Sequence, residues 1–153
     1  MKRGRPVSGS VCLLFTEVSI TVKARLEYCG NYLEIADFQH DAAAEKSGNP
    51  YNCTFDIRVN SGDFAGIADC CEYDYKELQK FIAALEDLIA FRRTEVSLTE
   101  ISTGRTVHFA CDSTGHIRVS GELICDADDQ FLRFHFMTDQ TVFPAFIREL
   151  KCL

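Results

Sequence analysis

CTFDIRVNSGDFAGIADCC, residues 53–71, holds an alternating strand, a tight turn and a returning strand in nineteen residues. Its first half alternates apolar and polar side chains, which is the two-residue period of a half-buried strand. The apolar positions are Cys53, Phe55, Ile57 and Val59. The polar segment Asn60–Asp63 is short enough for a hairpin turn, so Phe64–Cys71 is predicted to pair beside the first strand. This segment therefore predicts an antiparallel sheet.

Similar strand patterns recur on both sides of this hairpin. The predicted strands lie at residues 17–26, 33–38, 96–101, 106–111, 116–125 and 131–138. Short polar turns separate the last four, whereas parallel strands would need long crossover connections. We therefore predict an α+β fold built on an antiparallel meander of about eight strands, curved or sandwich-like. The polar, Ala-rich residues 39–50 are predicted to form an exposed loop.

Two helices interrupt the strand pattern. Asp74–Glu77 has the spacing of a capping box, in which Asp74 accepts from the third helical amide and Glu77 bonds back. A long helix with one apolar stripe is predicted to follow at residues 78–89. A shorter C-terminal helix is predicted after Thr141, with Pro144 in its first turn, where the missing N–H costs little. One apolar stripe on each helix predicts that both pack on the sheet.

Length and charge restrict the classes of function. The 153 residues suit one domain, predicted at 11–153 after a flexible basic tail at 1–10. No apolar segment is long enough for a membrane span or a signal-peptide core, so a cytoplasmic location is expected and a membrane partner is not. From Val11 onward, 13 Lys and Arg face 23 Asp and Glu, a net charge of −10. Such a chain is expected to repel nucleic acid and to attract basic partners.

The cysteines and histidines form no convincing chemical motif. The eight cysteines lack a CxxC pair and are predicted to be mostly buried free thiols rather than disulfides. His108 and Cys111 should point to opposite faces of their strand, so they do not converge on a metal. Of the neighbouring Cys70 and Cys71, one must face outward and the other inward. We predict no metal, no cofactor and no catalytic residue, because phosphate-loop and nucleophile-elbow motifs are also missing.

The strand at residues 131–138 leaves one alternative open. His135 shares a face with Phe131, Arg133 and Met137, while Phe134 and Phe136 point the other way. His135 is therefore either a hydrogen-bonded histidine beneath a helix or a contact for a partner protein.

The C-terminal third resembles a known family. The strand FLRFHF at residues 131–136 precedes DQTVFPAFIREL at residues 139–150, whose acidic-Gln-Thr start and aromatic spacing are similar to the ending of bacterial WapI-type immunity proteins. The segment GHIRVSG at residues 115–121 and the helix at residues 78–89, which follows a strand containing Gly66, also resemble that family. The resemblance extends over residues 17–150 and is most specific in the last third.

The resemblance implies a non-catalytic protein that neutralises a cognate, basic toxin domain by stoichiometric binding. No toxin-contacting residue can be transferred from the family, because these contacts do not form a fixed motif. From charge alone, the candidate partner contacts are Asp126, Asp128 and Asp129, which share one turn, with Asp112 expected nearby; a merely solvated turn is the alternative. The competing hypothesis is a small-molecule-binding or regulatory domain with a pocket between the sheet and the long helix. An enzyme is the third hypothesis.

Overall fold

The computed structural model describes residues 22–125 and 130–153. It contains two four-stranded antiparallel sheets, one long helix and one short C-terminal helix, which confirms the predicted α+β class. The strands are β1 (Ala24–Tyr28), β2 (Asn31–His40), β3 (Cys53–Ser61), β4 (Phe64–Tyr73), β5 (Glu95–Thr99), β6 (Thr106–Cys111), β7 (His116–Cys125) and β8 (Gln130–Asp139). The helices are α1 (Ala42–Lys46), α2 (Tyr75–Ile89) and α3 (Phe143–Leu150), and α3 follows a 3-10 turn at Gln140–Val142.

Each sheet is a meander in which neighbours in sequence are neighbours in space. The first sheet has the order β1-β2-β3-β4 and the second the order β5-β6-β7-β8. The predicted hairpin is confirmed, since Cys53 pairs with Tyr73 and Ser61 pairs with Phe64. The edge strands are therefore β1 and β4 in one sheet and β5 and β8 in the other.

The region predicted as a loop at residues 39–50 contains helix α1 instead. Asp41 caps this helix by accepting hydrogen bonds from the amides of Ala43 and Ala44, at 3.0 and 2.9 Å. Three consecutive alanines have the highest helix propensity, and the Asp cap stabilises the first turn. The prediction of exposure is confirmed, because α1 buries none of its residues.

The N-terminal predictions are tested only in part. Ala24 and Leu26 of the strand predicted at 17–26 are buried in β1, but Val22 is half-exposed and precedes the strand. Residues 17–21 and the predicted tail at 1–10 lie outside the described residues.

Two bulges in the first sheet were not predicted. The register shifts between Ala36 and Gln39 on β2, and between Phe55 and Ile57 on β3 where it faces β4. Asp37 and Cys70 adopt positive φ angles of 54° and 49° at these shifts. A bulge inserts an extra residue and re-aims its side chain. Cys70 consequently faces solvent while Cys71 is buried, as the alternation predicted.

Both helices lie with one apolar stripe on the core, as predicted. The buried residues of α2 are Leu78, Phe81, Ile82, Leu85 and Leu88, and those of α3 are Phe143, Phe146, Ile147 and Leu150. Pro144 lies in the first turn of α3.

The predicted capping box at the start of α2 is only half correct. Asp74 caps α2 through the amide of Lys76, the second helical residue, and the Glu77 carboxylate bonds Lys80 at 2.6 Å.

The inner faces of the two sheets and both helices share one core. Leu33, Ile57, Phe81 and Phe109 line a gap of only about 10 Å³ where these four elements meet. At this density the interior of the core leaves no room for a ligand. In the described parts of the chain, no helix has the length and apolar character needed to cross a membrane.

Candidate partner-binding surface

Large apolar side chains are concentrated on two edge strands. Four of the eight large hydrophobic residues found exposed in the described chain lie on β4 and β8. They are Phe64 (69% exposed), Ile67 (50%), Phe131 (68%) and Met137 (50%). We call these four residues the β4–β8 patch. Clusters of exposed apolar residues on a folded protein mark interaction sites more often than isolated ones do.

Close packing between the sheets brings the two edge strands together. Gly66 on β4 faces β8 so closely that an added Cβ would lie 2.6 Å from Cδ2 of Leu132. At the tip of the β3–β4 hairpin, the Ser61 hydroxyl donates to the backbone carbonyl of His135 at 2.7 Å. The first contact joins β4 to β8, and the second joins the end of β3 to β8. Ile67 follows Gly66 and Phe131 precedes Leu132, so each points to the outer face of its own strand.

An open groove of about 660 Å³ runs between the hairpin tip and β8. Phe64 and Met137 line it, together with Arg133 and His135. His135 is exposed, so the alternative of a histidine beneath a helix is wrong and its side chain is available to a partner. Phe, Met and Arg are the residue types enriched in the cores of protein–protein interfaces.

Arg133 is held in place by a carboxylate on the neighbouring strand. Its Nε and Nη2 atoms donate to Oε1 of Glu122 at 2.8 and 2.6 Å. The hydrogen bond from Arg133 has the largest effect on the pKa of the Glu122 carboxyl. Together with the nearby charge of Arg105 it lowers this pKa, although desolvation acts in the opposite direction. The Arg133 guanidinium is thereby oriented beside the patch, although it remains largely exposed.

The described residues include only one of the four predicted acidic contacts. Asp126, Asp128 and Asp129 lie outside the described residues, in the chain between Cys125 and Gln130. Asp112 directly follows β6, in the turn that leads to β7. Its proximity to the other three aspartates stays a prediction. In the sequence, the three aspartates lie two to five positions before Phe131 of the patch.

Asp112 organises its own turn. Its Oδ1 atom accepts from the amide and hydroxyl of Thr114, at 2.8 and 2.6 Å, and from the amide of His116 at 3.1 Å. The hydrogen bonds from Thr114 are the main reason that the pKa of the Asp112 carboxyl is lowered. One Asp112 oxygen therefore accepts hydrogen bonds within the β6–β7 turn, and about half of the side chain is exposed to solvent.

The other residues considered for metal binding do not point to one common site. His108 bonds the Ser97 hydroxyl at 2.8 Å on the outer face, while its neighbours Val107 and Phe109 are buried. Within residues 22–125 and 130–153, no three His, Cys, Asp or Glu side chains are placed to hold a metal ion.

The thiols are less buried than predicted. Cys53 and Cys71 are buried, and burial is the main cause that raises the pKa of each thiol to about 12. Cys29, Cys70 and Cys152 are exposed, which contradicts the prediction, and all five are free. Cys29 lies in the β1–β2 turn and Cys70 at the β4 bulge, and both have positive φ angles.

The interior between the sheets and the long helix is filled by core side chains, but an open groove of about 370 Å³ lies at its edge, between α2 and β5. A cleft of about 190 Å³ lies elsewhere, between β4 of the first sheet and β6 and β7 of the second. The sequence could not locate it, because it depends on how the two sheets are packed against each other.

Comparison with known proteins identifies a family for this chain. The family model described as "Immunity protein WapI-like family" matches residues 11–153, nearly the whole chain. No curated protein and no solved structure matches it. Proteins of such a family act in bacterial toxin systems, in which they bind a toxin rather than catalyse a reaction. The chain belongs to the WapI-like immunity protein family.

Proposed function

We propose that this chain is a cytoplasmic immunity protein that neutralises one cognate toxin domain by stoichiometric binding through the β4–β8 patch. The observation that carries the proposal is the exposure of four large apolar side chains on two adjoining edge strands of a member of an immunity family. The protein performs no chemistry on the toxin in this account. It covers the toxin or locks it in an inactive state.

The patch has the composition of an interface core. Phe64 and Phe131 are each about two-thirds exposed, so they have most of their apolar area available for burial in a complex. Burying a side chain of this size is worth roughly 1.5–3 kcal/mol. Arg133, which Glu122 orients beside them, belongs to a residue type that often contributes a large share of binding energy.

Acidic residues would supply the charged rim. The described residues contain 13 Lys and Arg against 19 Asp and Glu, a net charge of −6, and Asp126, Asp128 and Asp129 add three further negative charges two to five positions before Phe131. We propose these three aspartates as contacts for basic groups of the toxin, with Asp112 in the β6–β7 turn as a further contact. Complementary charge raises the association rate and disfavours wrong partners.

Growth rescue tests the proposal. The gene immediately upstream is expected to encode a large protein whose C-terminal domain kills the host cell when expressed alone. Co-expression of the wild-type chain should restore growth. The double variant Phe64→Asp/Phe131→Asp should fail to do so while remaining folded, because it places two charges in the apolar centre of the interface.

Phe91→Asp is the matched control. Phe91 is a comparably exposed aromatic residue (54%) at the end of α2, away from β4 and β8. This variant should rescue growth as well as the wild type. Cell death despite wild-type co-expression would refute the immunity function, whereas full rescue by the double variant would refute only the choice of surface.

A further inference from the structure

The cleft between the two sheets is separate from the β4–β8 patch. It has a volume of about 190 Å³ and shares none of its lining residues with the groove beside β8. Its apolar wall includes Ala68 from β4 and Leu123 from β7. A small polar ligand with an alkyl body matches a concave site of this kind better than a flat protein surface does.

Tyr73 supplies a polar group to this cleft from a side chain that is otherwise buried. The residue is only 2% exposed, and its ring stacks on Phe55 with centroids 4.3 Å apart. In the part of the chain that the structure describes, no hydrogen bond is made by the Tyr73 hydroxyl, although Tyr73 lines the cleft. The hydroxyl oxygen is not among the fully buried unpaired atoms, so it opens onto the cleft that Tyr73 lines. It is therefore accessible to a ligand with a matching polar group.

The charged residues around the cleft determine which ligand charge is favoured. Three carboxylates line it, from Asp69, Glu100 and Glu122, against the single guanidinium of Arg105. Arg105 is already paired with Glu122 at 2.5 Å. Asp69 is exposed, and among the described residues its carboxylate has no ion-pair or hydrogen-bond partner. The surplus of negative charge favours a cation.

Glu100 adds to the negative field without being free to bind. It is 8% exposed, and its oxygens accept from the Glu72 amide at 3.3 Å and the Thr103 amide at 3.0 Å. The Thr103 hydroxyl donates to it as well. These bonds keep a carboxylate at the cleft wall, where it acts on an incoming cation through its charge.

We propose that this cleft binds an alkylammonium or alkylguanidinium group, with the alkyl chain against Ala68 and Leu123 and the cationic head near the Tyr73 hydroxyl and the Asp69 carboxylate. Two sources carry this chemistry. One is a free small amine. The other is a Lys or Arg side chain of the toxin, and this second source rests on the proposed function.

Titration with simple probes tests the site without the toxin. n-Butylguanidinium and n-butylammonium should shift the NMR signals of cleft residues in the full chain at millimolar concentrations, and n-butanol should bind more weakly. Tyr73→Phe should weaken binding of the cations about tenfold to a hundredfold, the usual cost of losing a hydrogen bond to a charged group. Asp69→Asn should weaken it about twofold to fivefold, as for an exposed ion pair.

Asp63→Asn is the matched control, since it removes the same charge from the same hairpin outside the cleft. It should leave the affinity for both probes unchanged. Tyr73→Phe removes one oxygen, and an unchanged amide spectrum outside the cleft will show that it folds. The proposal is overturned if the cations bind no better than butanol, or if neither cleft variant weakens them.

Competition with the toxin distinguishes the two sources. Saturating n-butylguanidinium should lower the affinity for the toxin if the cleft receives a basic side chain of that partner. An unchanged affinity would assign the cleft to a free amine. A toxin that does not bind the chain at all would refute the proposed function, yet the probe titrations would still decide whether the cleft takes a cation.

Discussion

Glu34 is a buried carboxylate on the outer face of the first sheet. Only 4% of the residue is exposed, but three cationic groups surround it. Lys23 Nζ lies 3.0 Å from Oε2, Arg25 Nη1 lies 3.3 Å from the same atom, and Arg58 Nη1 lies 3.5 Å from Oε1. The site thus links β1, β2 and β3 through one acidic residue.

Substitution of Glu34 by Gln should destabilise the protein by about 1–2 kcal/mol at neutral pH. The substitution removes the negative charge that forms ion pairs with the partly exposed Lys23, Arg25 and Arg58. Burial opposes ionisation of Glu34, but hydrogen bonds from Lys23 and Arg25 outweigh it and lower its pKa below the ordinary 4.5. A carboxyl with a lowered pKa in the folded state stabilises that state above its unfolded pKa. This contribution is lost as the pH falls through the folded pKa.

Urea unfolding of wild type and Glu34→Gln at several pH values checks this prediction. The difference in free energy of unfolding should be constant near neutral pH and shrink below about pH 4.5. Glu27→Gln is the control, since Glu27 is half-exposed and bonds only Arg25 among the described residues. A difference that persists undiminished in acid would show that the charge of Glu34 is not what stabilises the fold.

Thiol labelling tests the two classes of cysteine. Cys53 and Cys71 combine burial with pKa values of about 12, so little thiolate forms at neutral pH. Cys29, Cys70 and Cys152 are exposed and should react with iodoacetamide in the native state. Peptide mass spectrometry should find the first two protected until the protein is unfolded. Rapid native labelling of Cys71 would contradict the packing of β4.

At the scale of elements, two side chains cap the start of helix α2. Asn52 Oδ1 accepts from the Tyr75 amide at 2.7 Å. Asp74 accepts from the Lys76 amide at 2.9 Å and from the Asn52 side-chain amide at 3.3 Å. Asp74→Ala should lower the free energy of unfolding by about 1 kcal/mol, the usual cost of losing such a cap. Chemical denaturation measures this change.

Asp41→Ala is the matched control for this cap. Asp41 makes equivalent bonds at the start of α1, but α1 has five residues and buries none of them. Its loss should change global stability by less than about 0.5 kcal/mol, because fraying of an exposed short helix exposes no core. Equal effects of the two substitutions would show that α2 is not coupled to the core as its buried stripe requires.

Periodicity predicted those elements whose position depends on local sequence. The β3–β4 hairpin and α2 have a clear period and a cap or turn at their ends, so both were predicted correctly. Helix α1 was missed because five residues are too few to show a period. The bulges at Asp37 and Cys70 were also missed, since a bulge depends on pairing with another strand.

At the scale of the whole molecule, the proposed interface combines an apolar centre with an acidic rim. The patch itself could not be predicted, because Phe64 and Met137 lie 73 positions apart in the sequence and share a groove only through the packing of two sheets. The sequence did indicate that Phe131, Arg133 and Met137 share the face of His135. It could not show that this face is open to solvent.

The acidic rim predicts an effect on association rate. Replacement of Asp126, Asp128 and Asp129 by Asn should reduce the association rate constant with the toxin about threefold to tenfold at low salt, with a smaller change in dissociation. Stopped-flow measurements at two ionic strengths check this, because salt should diminish the difference.

Three exposed carboxylates elsewhere give a control of equal charge. Glu27→Gln, Glu77→Gln and Asp87→Asn together remove the same net charge from other parts of the surface. If this control slows association as much as the Asn variants do, only net charge matters and the three aspartates are not contacts.

Titration of toxin activity with the purified protein measures the stoichiometry of inhibition. If the protein acts by binding alone, residual activity should fall linearly to zero at one equivalent and return when the complex is dissociated. Complete and lasting inactivation by a small fraction of an equivalent would mean that each molecule acts on many toxins, which contradicts a non-catalytic immunity protein.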